Sequence, residues 1–551
     1  EAALAQSEDE RERMIAQMRD VVANTSWEET ARKMRDLINT TQPGMVRHDS
    51  TASDVSGSDV TQITRINPPR AAQAAQQVKC AIIGGGPTGL SAAYHLGEDT
   101  LLIEKNATVG GWCRSIVDKG FTFDYAGHIM FSNDPYVLQL YKTLLGENVH
   151  WQNREAWVYS KNVYTRYPFQ GALYGLPAPV IRECIVGAIE ARYGATFEAA
   201  NEECDTTAGV EDCCADGSVD LPAGQAQTAA KPQNFEQFIY KVWGAGIAKH
   251  FAIPYNKKIW TVPLSEMETS WLGGRVPLPD LEEIIDGALE PVGKPMGPNA
   301  RFGYPLNGGF QALVDGFLPH IKGKLELNAE VVQVSPQEHV LALADGRRFR
   351  YDQLVSTMPL PELVKLIGDF APENVRRAAK GLQHISIRCV NLGVAREHIT
   401  DKHWIYYPED SIFHRIFVQG NASPGCNPPG GFGLTAEISY SAYKPLPVDG
   451  DELIQRVFDD CVKVGLLNAD DRLLTANLVD MPYAYVVYDH ARANNMAVLK
   501  SWLAQYDIIL AGRYSEWEYY NSDHAFLAGK KAAEKVMATM HTGLSKQSQG
   551  E

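Results

Sequence analysis

A glycine-rich turn between an apolar run and a helical pattern most constrains what this chain can fold into. Residues 78–83 (VKCAII) form a short apolar run, as is typical of a buried parallel strand. They lead directly into residues 84–89 (GGGPTG), which contain the GxGxxG spacing. Helical character follows over residues 90–96, and a second apolar run over residues 100–103 ends at Glu104. This order predicts a strand–turn–helix–strand unit that binds a dinucleotide, and a plain glycine-rich turn does not account for it.

Each position in the turn has a physical role in this prediction. Gly84 makes the tight turn, Gly86 lets the backbone approach a pyrophosphate, and Gly89 lets the helix pack on the sheet. The helix N-terminus then presents free N–H groups and the positive end of its dipole to the phosphates. Glu104 is placed to accept hydrogen bonds from a ribose hydroxyl, which favours FAD or NAD over NADP.

The segments around and after the acid favour FAD. Five residues separate Glu104 from the Gly-Gly pair in VGGWCRS (109–115), and this spacing resembles flavoproteins of the amine-oxidase and sugar-mutase superfamily. Residues 507–513 (DIILAGR) predict a late strand that enters a glycine, and SDHAF (522–526) opens a helix to about residue 540. In that superfamily such a unit returns to the flavin, with its helix N-terminus near the isoalloxazine carbonyl. The residues expected to hold FAD are Gly84, Gly86, Pro87, Thr88, Gly89, Glu104, Lys105, Gly110, Gly111, Trp112, Gly127, His128, Gly512, Arg513, Ser522 and Asp523.

Length, charge and cysteine content limit the class of protein. A chain of 551 residues predicts two or three domains. A formal net charge of -16 disfavours nucleic acid and anionic membranes, so an anionic ligand requires a local cluster of cations. Nine scattered cysteines indicate reduced thiols in a cytoplasmic protein rather than a disulfide framework. No apolar run of about 18 residues occurs in the sequence, so no membrane span is expected.

The expected fold class is α/β, with a doubly wound, Rossmann-like FAD domain assembled from residues 77–135, 300–360 and 500–541. A helical domain should occupy residues 175–298. An antiparallel-sheet substrate domain should take residues 151–172 and 361–498. In such a layout we expect the functional site in the crevice between domains.

Two segments depart from this pattern. Residues 1–76 predict an N-terminal extension, with amphipathic helices over residues 7–38 that could dock a partner, followed by a linker. Residues 196–233 are acidic and poor in large apolar groups, which predicts a flexible surface insertion. The cysteines of this insertion lack a nearby histidine and CxxC spacing, so no metal site is expected.

Segments spread over residues 78–541 resemble UDP-galactopyranose mutase, most closely the eukaryotic type. Residues 125–132 (YAGHIMFS) are similar to the family's Gly-Gly-His loop, in which the histidine lies against the flavin. Ala126 stands here in place of the first glycine. The other matching segments are YPFQ (167–170), PYNKKIW (254–260), WLGGRV (271–276), GPN (297–299), FHR (413–415) and AGR (511–513).

The resemblance implies that Arg415 and Arg513 bind the diphosphate of a nucleotide sugar. Two guanidinium groups suit a diphosphate because each can give paired, charge-assisted hydrogen bonds. The catalytic residues implied are His128, Arg275, Arg415 and Arg513. The substrate-binding residues implied are Tyr167, Phe169, Gln170, Asn256, Trp260, Asn299, Trp404, Tyr406, Tyr485, Tyr519 and Asn521.

The implied reaction is a redox-neutral interconversion of UDP-galactopyranose and UDP-galactofuranose that requires reduced FAD. In the family, flavin N5 attacks the anomeric carbon, the diphosphate leaves, and the ring opens and recloses within a covalent flavin–sugar adduct. NAD(P)H or another reductant would have to reduce the flavin. The sequence determines neither the electron donor nor whether the protein is a homo-oligomer.

Three alternatives remain open at this stage. Ala422 stands where the eukaryotic family has a tyrosine, and the insertion at 196–233 falls next to the expected substrate entrance, so the substrate could be another nucleotide sugar. A flavin oxidase of the amine or protoporphyrinogen type would share the FAD scaffold but not the paired arginines. A non-catalytic FAD-binding scaffold, docking partners through residues 7–38, is the third.

Overall fold

The computed structural model describes residues 74–194, 231–273, 278–293 and 300–547, with side chains described through residue 540. The chain divides into residues 1–68 and 69–551, so every element below belongs to the second unit. The predicted N-terminal helices lie outside the described residues, as do Arg275, Asn299 and residues 196–230 of the insertion.

The strands alternate with helices at both ends of the described chain and cluster in its middle. In chain order they are β1 (Gln76–Ile83), β2 (Thr100–Ile103), β3 (Ser115–Asp118), β4 (Phe121–Asp124), β5 (His150–Asn153), β6 (Ala156–Ser160), β7 (Val163–Arg166), β8 (Arg301–Tyr304), β9 (Lys324–Glu326), β10 (Val331–Ser335), β11 (Val340–Leu343), β12 (Arg348–Ser356), β13 (His384–Val394), β14 (Trp404–Tyr406), β15 (Arg415–Phe417), β16 (Phe432–Tyr440), β17 (Leu473–Val486) and β18 (Ile508–Leu510).

The first large sheet has the order β10-β11-β12-β1-β2-β9, with β18 also paired to β12. Its central strands are parallel: β1 pairs with β2 and β12, β2 with β9, and β12 with β18. Strands β10 to β12 form an antiparallel meander, and Gly346 supplies the left-handed residue between β11 and β12 with a φ of 88°. Every residue of β2 is buried, as in a parallel strand covered on both faces. The predicted α/β, Rossmann-like fold is confirmed.

The second large sheet has the order β17-β13-β16-β15-β14-β6-β7. Its strands are antiparallel except for β14 and β6, which run parallel. The expected antiparallel sheet is therefore a mixed one. Strand β5, expected in this sheet, pairs instead with β8, because β7 and β14 already occupy both edges of β6.

Helices pack on both large sheets and make up most of the described chain between β7 and β8. In chain order they are α1 (Pro87–Leu96), α2 (Pro135–Leu145), α3 (Ala178–Tyr193), α4 (Phe235–Ile247), α5 (Ile253–Trp260), α6 (Leu281–Leu289), α7 (Gln311–Asp315), α8 (Leu360–Ile367), α9 (Glu373–Lys380), α10 (Gln419–Ala422), α11 (Gly450–Lys463), α12 (Arg492–Leu503) and α13 (Ser522–Gln547). Short 3-10 turns and a π-turn, at Ala248–Ala252 before α5, join several of them.

Two further properties concern the described ranges only. None of their helices is both long and apolar enough to cross a membrane. Their cysteines are buried and form no disulfide: Cys80, Cys113, Cys184, Cys389, Cys426 and Cys461.

Candidate active site

The glycine turn after β1 has the geometry of a pyrophosphate cradle. Gly84 adopts a φ of 101°, which only glycine reaches without strain. A Cβ at Gly89 would overlap the carbonyl oxygen of Gly84, so the helix and the turn touch backbone to backbone. Gly86 is the N-cap residue of α1, and no side chain caps the helix N-terminus. The space around Gly86 is open, since the atom nearest to a Cβ there would be Gly111 Cα at 3.9 Å. The helix N-terminus is therefore open to an anionic ligand.

Glu104 is fixed at the end of β2 by the backbone around it. Its side chain is buried, and its Oε2 accepts a hydrogen bond of 2.7 Å from the Gly85 N–H. Its Oε1 accepts one of 2.9 Å from the Asn106 N–H. The Asn106 side-chain amide also donates to Oε1, so Oε1 is occupied twice. Oε2 accepts one bond and keeps a lone pair that a ribose hydroxyl could use.

The late strand and helix return to the same turn. β18 pairs with β12, and Gly512 follows it with a φ of 90°. A Cβ at Gly512 would collide with Thr88 Oγ1, and one at Gly529 in α13 would collide with the Thr88 carbonyl oxygen. These glycines let α13 close against α1 beside the proposed pyrophosphate position.

His128 lies in a strained turn between β4 and α2. Ala126 has a φ of 68°, so an alanine occupies the left-handed region that glycine favours. His128 Nδ1 lies 3.1 Å from the Ala126 carbonyl oxygen, and its ring stacks on Phe310 at 5.3 Å between centroids. The pKa of His128 is lowered to about 4, chiefly by burial; Arg513 and Arg415 add to this shift, and the hydrogen bond to the Ala126 carbonyl opposes it. The ring is neutral near pH 7, and Nδ1 carries the proton because a carbonyl can only accept.

Arg513 carries hydrogen-bond donors that the described residues do not satisfy. Its Nη1 donates to the Tyr520 carbonyl oxygen at 3.2 Å. Its Nε and Nη2 are buried and find no acceptor in the described ranges. Its guanidinium lies 4.7 Å from the ring centroid of Tyr485 and 4.8 Å from that of Tyr519. Buried donors without acceptors are costly, so the site is built for an acceptor supplied by a ligand.

Arg415 lies across the sheet, paired with a buried acid. It begins β15 directly opposite Glu437 on β16, and its Nε donates to Glu437 Oε1 at 3.1 Å. Its Nη2 also donates to Glu437 Oε2. The Arg415 side chain is 15% exposed and that of Glu437 is 0% exposed, so only the arginine can reach a ligand.

Aromatic rings line the space around the two arginines. Tyr167 and Tyr406 stack with centroids 4.6 Å apart, and Tyr255 meets Tyr406 edge-on at 5.5 Å. Trp260 meets Tyr485 edge-on at 5.8 Å. Of the residues the resemblance implied, Tyr485 and Tyr519 contact Arg513, and Tyr406 lies near Arg415. Trp260 packs on Tyr485, and Tyr167 stacks on Tyr406.

Other implied residues lie further into the protein or on its surface. Phe169 is fully buried and stacks on Phe251 at 4.9 Å, and Gln170 beside it is also buried. Asn256 donates to the Ala252 carbonyl oxygen one turn back, and Trp404 stacks on Phe417 at 4.7 Å. Lys105 and Asn521 are exposed. The Trp112 Nε1 donates a hydrogen bond to the Tyr483 carbonyl oxygen. Ser522 and Asp523 lie in the first turn of α13.

Three further residues at the site were not predicted from the sequence as site residues: Glu437, Arg154 and Tyr255, although Tyr255 lies within the matching segment 254–260. Arg154 Nη2 donates to the Tyr406 hydroxyl at 2.8 Å, and its guanidinium lies 5.0 Å from a Trp404 ring centroid. A signal for Glu437 was present: it is the one acid in the apolar run 432–440, and a buried acid needs a cationic or hydrogen-bonded partner.

Comparisons with known proteins agree on a flavoprotein. Residues 82–144 match the NAD(P)-binding Rossmann-like domain family, and residues 270–537 match the flavin containing amine oxidoreductase family. A crystal structure of reduced UDP-galactopyranose mutase is 28% identical, with a TM-score of 0.73 over 84% of this chain and 96% of that chain.

Two oxidase structures share the fold at lower identity. A protein from Exiguobacterium sp. 255-15 assigned as a protoporphyrinogen oxidase is 17% identical, with a TM-score of 0.60 over 84% of this chain and 99% of that chain. Putrescine oxidase bound to putrescine is 15% identical, with a TM-score of 0.56 over 84% of this chain and 100% of that chain. The open helix N-terminus, the acid after β2 and the family matches identify FAD as the cofactor.

Proposed function

We propose that this FAD enzyme of the flavin amine-oxidase superfamily is a nucleotide-sugar mutase that interconverts UDP-galactopyranose and UDP-galactofuranose. The observation that carries the proposal is the pair Arg415 and Arg513. Arg415 begins β15 of the second sheet and Arg513 follows β18 of the first, yet tyrosines lie around both arginines and both lower the pKa of His128. Two guanidinium groups beside the flavin histidine suit a substrate with two phosphates.

The proposed division of labour follows from the contacts of each arginine. Arg513 is held between tyrosine faces with donors unsatisfied, so it would receive phosphate oxygens directly. Arg415 is already neutralised by Glu437, so it would contribute directional N–H groups more than net charge. Together they would hold the diphosphate after it leaves the sugar and keep it close for its return.

The other residues would orient the sugar and exclude water. Reduced FAD, when bound, supplies the nucleophile for the anomeric carbon. His128 would add no charge beside it, since its ring is neutral near pH 7. The rings of Tyr255, Trp260 and Tyr406 would exclude water while the diphosphate is separated from the sugar.

The site geometry is less favourable to an amine oxidase. Aliphatic amines are cations near neutral pH, and the Arg513 guanidinium, held between tyrosine rings beside the flavin, would repel them. The two oxidase structures share the fold at 17% and 15% identity, which carries no statement about substrate. The UDP-galactopyranose mutase structure combines higher identity with the higher TM-score.

The test is product analysis by HPLC after incubating chemically reduced holoenzyme with UDP-galactofuranose. Appearance of UDP-galactopyranose would support both the chemistry and the substrate. Turnover of a different nucleotide sugar alone would keep the chemistry and change the substrate. Inactivity toward every nucleotide sugar, together with hydrogen peroxide from an amine or a tetrapyrrole, would replace the proposal with an oxidase.

A further inference from the structure

Glu437 connects the arginine of the proposed diphosphate site to the turn that carries His128. It lies on β16, where eight of the nine residues are buried, and its own side chain is completely buried. A carboxylate this deep is stable only when its oxygens are occupied by charge-assisted hydrogen bonds. Its partners come from two different parts of the site.

One oxygen of this carboxylate is shared. Oε1 accepts from Arg415 Nε at 3.1 Å and also from the Gly127 N–H at 3.3 Å. Oε2 accepts from Arg415 Nη2, and His414 Nε2 lies 3.8 Å from it. Burial, with Arg415 adding to it, lowers the pKa of His414, so this ring adds no positive charge beside Glu437 near pH 7.

The turn next to Gly127 has little freedom to absorb a displacement. Gly127 stands between Ala126, at a φ of 68°, and His128. A Cβ on Gly127 would lie 2.8 Å from Phe417 Cγ and 3.0 Å from Trp404 Nε1. Phe417 ends β15, the strand that begins with Arg415. The turn is thus wedged against the same strand that carries the arginine.

We propose that Glu437 is a positioning residue that transmits occupancy of the anion site at Arg415 to the His128 turn. The inference rests on the proposed function, which places a diphosphate at Arg415 and His128 beside the flavin. An anion draws the Arg415 donors toward itself and weakens the Nε bond to Oε1. Oε1 then interacts more strongly with the Gly127 N–H, its remaining partner, and pulls on the turn.

The experiment uses oxidised holoenzyme titrated with UDP. Calorimetry measures binding, and the visible absorption of the flavin reports its surroundings. The wild type should bind UDP and show a change in the flavin spectrum proportional to the bound fraction. Glu437→Gln keeps the size of the side chain and removes its charge. It should still bind UDP through Arg513 but lose the spectral change.

A matched control removes an arginine–carboxylate pair from the neighbouring strand. Arg388 on β13 pairs with Asp449, which is 55% exposed and lies outside the site. Asp449→Asn should keep both UDP binding and the spectral change. If Glu437→Gln does not retain FAD, Arg415→Lys replaces it, because one ammonium cannot span both carboxylate oxygens, and it should lose the same spectral change.

The outcomes separate this inference from the proposed function. A full spectral change per bound UDP in Glu437→Gln or Arg415→Lys would overturn the inference, and so would its absence in the wild type. If the wild type binds no UDP, the proposed substrate is wrong, and the titration is repeated with inorganic pyrophosphate. A spectral change with pyrophosphate that Glu437→Gln abolishes still supports the coupling, and no binding of either anion overturns it.

Discussion

The rings of Tyr485 and Tyr519 lie parallel, with centroids 5.6 Å apart and 12° between their planes. Arg513 lies within 4.8 Å of both ring centroids. Stacking of a guanidinium on aromatic faces holds it in place at little entropic cost once the rings are packed. The donors that Arg513 leaves unsatisfied are therefore oriented before any ligand arrives.

Removing either arginine should stop turnover without releasing the cofactor. Arg513→Ala and Arg415→Ala each delete donors to the departing diphosphate, so kcat should fall about 100-fold or more. Arg415→Ala is made together with Glu437→Gln, so that no unpaired buried carboxylate is left to destabilise the fold. FAD content, measured by absorbance, should stay near the wild-type ratio. Arg396→Ala, which removes a partly exposed pair with Asp471, is the control and should retain full activity. Normal turnover in both site variants would remove the diphosphate assignment.

A methyl group at Gly89 should prevent FAD binding. Gly89→Ala places a Cβ against the Gly84 carbonyl oxygen, and backbone on both sides cannot yield as a flexible side chain would. The expected result is purified protein without yellow colour, or no folded protein, measured as the ratio of flavin to protein absorbance. Gly293→Ala is the control, since a Cβ there meets nothing within 4 Å. A fully loaded Gly89→Ala protein would contradict the cradle geometry.

Removing the Tyr485 hydroxyl while keeping its ring should lower kcat/KM. Tyr485→Phe preserves the stack on Tyr519 and the contact with Arg513, and it removes one hydrogen-bonding group beside the proposed phosphates. We expect kcat/KM to fall about tenfold, the size of one hydrogen bond to a charged group. Tyr506→Phe, in a ring packed on Trp502 away from the site, should leave kcat/KM unchanged. Equal activity of the two variants would assign Tyr485 a purely stacking role.

Acid should destabilise the fold through His403. Its Nδ1 accepts from the Glu155 N–H at 2.9 Å, and burial lowers its pKa from 6.5 to about 4. Between these values the unfolded chain binds a proton that the folded chain does not, so stability is lost as pH falls. Lowering the pH from 7 to 5 should therefore reduce the free energy of unfolding by about 2 kcal/mol through this histidine.

Thermal unfolding at several pH values measures this effect. His403→Asn should start from a lower Tm at pH 7 and lose less of it by pH 5 than the wild type does. His398→Asn, which removes an exposed histidine, should follow the wild-type slope. Parallel slopes for His403→Asn and the wild type would show that this ring is not the titrating group.

The cofactor domain could be predicted from the sequence because its signals are local. The turn at 84–89 requires glycine for reasons within a few residues of itself, and the structure shows both the positive φ of Gly84 and the close approach at Gly89. The α/β fold follows from that order of strand, turn and helix. The roles assigned to the arginines and tyrosines stay predictions.

The features that could not be predicted from the sequence depend on contacts between distant parts of the chain. Glu437 meets Arg415 across two strands whose register the sequence does not specify. Phe169 was expected to bind the substrate, yet its ring is buried and packs on Phe251. An aromatic side chain suits a core and a binding site equally well. Strand β5 pairs with β8 instead of joining the expected sheet, because both edges of β6 are already paired. One of those edges is taken by β14, which lies far along the chain.

The contact of α13 with α1 has a consequence for biosynthesis. The glycine turn at 84–89 leaves the ribosome more than 400 residues before the strand and helix that close against it, since β18 begins at Ile508. Until those later elements emerge, Thr88 lacks the surfaces of Gly512 and Gly529. The surface that faces α1 is therefore complete only near the end of translation, and we expect FAD to bind after that point.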